Sequence, residues 1–127
     1  MTVYLQRLKV APNPEALTPG EARYVHDHFD AYAGEVIVNR QPIPWDAVET
    51  VEVARAARAT GPAGWVVRHL VHGNERFHVG LYFGTQEAVL PNVTLNVARY
   101  IVQAVAYHAP SPVAYKGPDG FSPLKET

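Results

Sequence analysis

The chain contains no cysteine, and this absence removes several classes of protein. Disulfide frameworks, zinc ribbons and thiol nucleophiles all require that residue. The same absence fits a reducing compartment, so we expect a cytoplasmic protein. Serine is nearly as scarce: it occurs only at Ser111 and Ser122, within a Pro-rich stretch, which argues against a serine nucleophile.

Excess charge and long apolar runs are also missing. The formal net charge is −1 and the basic residues are scattered, so we expect no nucleic-acid partner. No apolar run approaches membrane-spanning length, which predicts no transmembrane segment. There is no Gly-rich phosphate loop with its lysine, and no pair of carboxylates at a defined spacing. We therefore expect no cofactor, no metal and no catalytic residues. These patterns favour a protein without enzymatic activity over an enzyme.

The composition that remains is that of one folded domain. The chain has 127 residues, of which 47% are hydrophobic and 18% are charged. This is enough to form a single hydrophobic core without disulfide or metal cross-links. We place one globular domain over residues 1–110. A Pro/Gly-rich tail follows over residues 111–127, and three of its apolar side chains could dock on the body: Val113, Tyr115 and Phe121.

Two helices are predicted, one near each end of the domain. Thr18, Pro19 and Glu21 form a capping-box start, and an apolar stripe then predicts a helix up to Ala33. The second helix is the stronger one. It begins after Asn92 or Thr94, has a wide apolar face and ends before Pro110. We expect this helix to pack on a sheet through Val97, Ile101 and Val105.

Strands are predicted between the helices and before the first. The expected segments are Val3 to Val10, Glu35 to Asn39, an edge return through Ile43, Val48 to Ala54, and Ala88 to Leu90, which Pro91 ends. Together with the helices, this order predicts an α+β fold. We expect a bent antiparallel sheet or small barrel, closed by the C-terminal amphipathic helix, with an extra N-terminal helix.

The stretch from Gly64 to Phe83 predicts a hairpin around which the rest is organised. Apolar and polar residues alternate strictly after residue 76, and Gly73-Asn74 suits a two-residue turn. In that register, one face of the hairpin carries the candidate interface residues Trp65, Val67, His69, Val71, His78 and Tyr82. Because the opposite face already supplies a core, this surplus apolar face predicts either a homodimer or cover by the N-terminal helix or the tail.

His69 and His78 face each other in the predicted hairpin. Such a cross-strand pair can approach metal-bridging distance, but no third ligand is evident. Surface or interface histidines are the better interpretation. If both lie at a dimer interface, acidification that charges them should weaken association.

The segment Ile43-Pro44-Trp45-Asp46-Ala47-Val48 contains an Ile-Pro-Trp element, and the closing helix follows Asn92-Val93-Thr94. In these two features residues 34–108 resemble bacterial PH-like domains, in which such an Ile-Pro-Trp element often joins the first strands. The resemblance implies a binding module for peptides or partner proteins. The basic loop that would hold an inositol phosphate is poorly matched, with only Arg55 and Arg58, so lipid binding is not implied.

Two functions are compatible with these patterns. The first is a non-catalytic binding or assembly module that self-associates and binds a protein or peptide partner. The alternative is a small α+β enzyme or small-molecule-binding protein, whose pocket is lined by His69, His78 and Tyr82. A histidine buried in a closed pocket would favour the alternative.

Overall fold

The structure is a computed structural model that describes residues 2–56, 75–121 and 123–126. Helices and strands are labelled in chain order over these residues. They are β1 (Val3–Leu5), α1 (Pro19–His28), β2 (Phe29–Ala31), β3 (Glu35–Val38), β4 (Gln41–Pro44), β5 (Val48–Arg55), β6 (Arg76–Phe83), β7 (Gln86–Thr94), α2 (Leu95–His108), β8 (Ala114–Lys116) and β9 (Leu124–Glu126). Short 3-10 turns cover Pro14–Ala16 and Trp45–Ala47.

These elements confirm the α+β class and both predicted helices. The larger sheet has six strands in the order β7-β6-β5-β8-β1-β9, and the smaller has three in the order β2-β3-β4. One pairing departs from the expected antiparallel arrangement, because β8 lies parallel to β5. The described strands form two open sheets and no closed barrel.

Helix α2 forms the centre of the core between the two sheets. It packs against β6 and β7 of the larger sheet and against β2 of the smaller one. Helix α2 is therefore buried on more than one face, and Ile101 is 0% exposed. The predicted alternation in β6 is confirmed at its core face, where Phe77, Val79 and Leu81 are buried.

One carboxylate joins the beginnings of both helices. The predicted capping box is confirmed, since the Glu21 side chain accepts from the Thr18 amide and the Thr18 hydroxyl accepts from the Glu21 amide. Glu21 also accepts from the Thr94 hydroxyl, which caps α2 by accepting from Val97 N–H, and from the Asn96 amide. Partial burial acts to raise the pKa of Glu21, but these hydrogen bonds together lower it.

Helix α1 is shorter than predicted, because residues 29–31 leave the helix and join a sheet. Phe29 is buried, Asp30 exposed and Ala31 half-buried, and β2 pairs with β3 in the register Phe29↔Val38. Tyr32, which would continue the apolar stripe of a longer helix, is 52% exposed. Tertiary pairing with β3 therefore overrides the local helical pattern.

Two predicted strands have different lengths in the structure. The first strand ends at Leu5 rather than Val10, whose exposed fraction is 77%, because the chain turns towards α2. Strand β7 does not end at Pro91 but runs to Thr94. It accommodates the proline through a bulge, where the β6–β7 register shifts and Asn92 has a φ of 55°.

The segment after residue 110 contributes two strands to the larger sheet. Strand β8 lies between β5 and β1, and β9 pairs with β1. The three side chains that we expected to dock, Val113, Tyr115 and Phe121, are all buried. Gly117 adopts a φ of 149°, and a Cβ there would lie 2.6 Å from the Val53 carbonyl oxygen, so this crossing requires glycine.

Candidate functional site

The predicted interface residues fall into two groups. The first group lies outside the described residues, together with the first strand and the turn of the predicted hairpin: Trp65, Val67, His69 and Val71. His78 and Tyr82 lie on β6, where both are half-buried on the face of the sheet opposite α2. They are four residues apart, which is about 13 Å along a strand, so they do not converge on one ligand atom.

His78 stabilises the bulge in β7. Its Nδ1 accepts a hydrogen bond of 3.0 Å from the Asn92 backbone N–H, at the point where Pro91 and Asn92 together face one residue of β6. The bulge removes a regular ladder partner from that amide, and the imidazole replaces it. This nitrogen is therefore engaged by the fold.

Tyr82 is held by carboxylates on both neighbouring strands. Its hydroxyl donates to Glu52 Oε1 on β5 at 2.6 Å. Glu52, and then Glu87 on β7, raise the pKa of Tyr82, so the phenol stays protonated and acts as a donor. Gly80 lies between these side chains, with Glu87 Oε1 3.4 Å from where its Cβ would be. The arrangement links three strands by polar contacts and contains no free base beside a substrate cavity.

The histidines of α1 have local partners as well. His26 Nδ1 lies 3.3 Å from Asp27 Oδ1 on an exposed, solvated face of the helix. His28 Nδ1 pairs with Asn39 Oδ1 at 2.9 Å, and the Asn39 amide donates to the Val89 carbonyl at 3.2 Å. This chain of bonds connects the two sheets, so His28 has a structural role.

His108, at the end of α2, borders a small cavity. Its ring stacks on Trp45 with centroids 6.2 Å apart, and burial lowers its pKa. The cavity has a volume of about 290 Å³ and is also lined by His26, Asp30 and Tyr100. Across the described part of the chain, no group of three or more His, Cys, Asp or Glu side chains could hold a metal ion.

A second and larger cavity is a groove at the other side of α2, which we call the β1–α2 groove. Its volume is about 800 Å³, within the usual range for small-molecule sites. One wall is β1 and the residues after it, the second is the last turns of α2, and the third is the segment 109–113. The lining residues are Tyr4, Leu5, Gln6, Arg7, Val105, Ala106, Ala109, Pro110, Ser111, Pro112 and Val113.

Backbone hydrogen bonds fix the walls of this groove. Leu5 N–H donates to the Val113 carbonyl at 2.9 Å, and Leu8 N–H donates to the Ala106 carbonyl at 3.2 Å. Small side chains at Ala106 and Ala109 leave space that larger residues would fill. The floor is apolar, because Leu5, Val105, Ala106, Ala109 and Val113 are all buried.

The sequence did not reveal this groove, and neither His78 nor Tyr82 lines it or the smaller cavity. Its walls come from two stretches far apart in the chain, residues 4–7 and residues 105–113, and neither carries a motif. The only local signals were the small residues at the end of α2 and the stiff Pro110-Ser111-Pro112 run that follows.

No helix in the described part of the chain is long and apolar enough to cross a membrane. No protein-family model, curated protein or solved structure matches this chain when each is compared with it. The β1–α2 groove is therefore the main basis for a functional proposal.

Proposed function

We propose that this protein is a non-catalytic binding module that holds a small molecule with an apolar portion in the β1–α2 groove. The observation that carries the proposal is a cavity of about 800 Å³ with an apolar floor and polar groups only at its rim. Ligand sites have this composition, in which apolar contact supplies affinity and a few polar groups supply orientation.

The polar groups that line the groove favour binding over catalysis. They are Tyr4, Gln6, Arg7 and Ser111. General acid–base chemistry near neutral pH most often uses His, Asp or Glu, and none of these lines the groove among the described residues. His78, which the sequence singled out, instead has a structural partner in the bulge of β7.

The experiment uses the neutral dye Nile red, whose fluorescence increases in an apolar site. Ser111→Trp places a large side chain at the exposed rim of the groove, and we expect it to abolish saturable dye binding. Thr85→Trp is the matched control, because Thr85 is exposed in the β6–β7 turn, away from the groove. Equal dye binding by both variants, with unchanged circular dichroism, would contradict the proposal.

Self-association is a second candidate function. It is favoured by the half-exposed outer face of the larger sheet, where Tyr82 and Val89 lie on neighbouring strands. The PH-like resemblance implies, in addition, a protein or peptide partner for such an assembly module. We expect Val89→Asp to shift a dimer to monomer in sedimentation velocity, whereas a monomer at every concentration would remove this candidate.

A further inference from the structure

We propose that the ligand of the β1–α2 groove is a carboxylate with an aliphatic chain, whose headgroup pairs with Arg7. This inference rests on the proposed function, since it names the ligand class for the same site. The chain would lie on the floor formed by Leu5, Val105 and Val113, and the carboxylate would lie at the rim.

Charge complementarity is the first argument. Arg7 is the only charged residue that lines the groove, and no acidic side chain accompanies it among the described lining residues. Arg7 is exposed and forms no ion pair with any described side chain, so its guanidinium is available. A guanidinium matches a carboxylate in geometry, because two parallel N–H donors meet the two oxygens.

The end of helix α2 is the strongest objection, since a helix C-terminus carries partial negative charge. The carbonyl groups of the two helical residues that line the groove are already engaged. Val105 accepts from Ala109 N–H at 3.0 Å, and Ala106 accepts from Leu8 N–H at 3.2 Å. This reduces the negative potential that α2 presents to the groove and leaves Arg7 as its dominant charge.

The composition of the groove lining favours a ligand with an aliphatic chain. The buried part of its lining is aliphatic, and the single aromatic residue, Tyr4, is half-buried beside the polar rim. The polar groups of Gln6 and Ser111 lie on the exposed part, with Arg7. The apolar floor and the polar rim of the groove together match an amphipathic molecule with one charged end.

The test compares three ligands with the same chain: decanoate, decanol and decyltrimethylammonium. Each is titrated below its micelle concentration by isothermal calorimetry into the full chain, with far-UV circular dichroism as a check on folding. We expect decanoate to bind best and the cationic ligand worst. Arg7→Gln should weaken decanoate binding about fivefold, as an exposed ion pair of about 1 kcal/mol predicts, and leave decanol unchanged.

Two further variants make the result specific. Arg7→Lys keeps the positive charge and should retain most of the preference for decanoate. Arg23→Gln removes an exposed arginine of α1 that does not line the groove, and should have no effect. Equal affinity for decanoate and decanol, or a preference that survives Arg7→Gln, would overturn the carboxylate assignment but not the groove. Failure of all three ligands to bind would overturn both.

Discussion

Gly117→Ala should destabilise the protein strongly, because it forces β8 away from β5. At a φ of 149° an L-residue is strained, which costs about 1–3 kcal/mol. The new Cβ would also lie 2.6 Å from the Val53 carbonyl oxygen and 2.9 Å from the Tyr115 hydroxyl. The Val53 carbonyl is backbone and cannot rotate away, so overpacking adds roughly 1–3 kcal/mol. The expected total is roughly 2–6 kcal/mol.

The assay is urea denaturation, followed by circular dichroism, for Gly117→Ala and for the matched substitution Gly20→Ala. Gly20 lies in the first turn of α1, and no atom lies within 4 Å of the position that an alanine methyl group would take there. Alanine at this position should therefore be neutral or stabilising by up to about 1 kcal/mol. A loss below about 0.5 kcal/mol for Gly117→Ala, which is the scatter of ordinary surface substitutions, would refute the docking of β8 as described.

Three further substitutions test the core and the caps. Ile101→Ala should cost about 2–5 kcal/mol in the free energy of unfolding, because the side chain is 0% exposed in the centre of α2. Trp45→Phe should cost about 1–2 kcal/mol in thermal unfolding, because it removes the 2.6 Å hydrogen bond from the indole N–H to the Tyr32 carbonyl. Glu21→Ala should cost about 0.5–1.5 kcal/mol at neutral pH, because Glu21 accepts at the beginnings of both helices. Since its pKa is lowered on folding, this contribution is present above the unfolded pKa and is lost as pH falls through the folded pKa. The difference in the free energy of unfolding between wild type and Glu21→Ala should therefore shrink in acid. A difference that stays constant with pH would contradict the capping role of Glu21.

The elements that local chemistry defines were predictable. The start of α1 follows from Thr18 and Glu21, whose reciprocal bonds span only three residues. The core face of β6 follows from strict alternation, and the extent of α2 from its wide apolar stripe. Each of these signals is complete within one short segment of the chain.

The features that depend on distant partners were not predictable. Strand β8 has three residues and no periodicity of its own, and its pairing with β5 joins segments about half the chain apart. The end of α1 depends on the pairing of Phe29 with Val38, which competes with a continuing helical pattern. The β1–α2 groove forms only when β1 meets the distant stretch that runs from the end of α2 to residue 113. No single segment carries enough information to indicate such a site.

The central claim is that the β1–α2 groove is the ligand site, and an amide chemical-shift titration with decanoate tests it most directly. We expect saturable shifts that cluster at Leu5, Ala106, Ala109 and Val113, whose backbones form the groove walls. Shifts confined to the outer face of β6, or no saturable shifts at all, would contradict it.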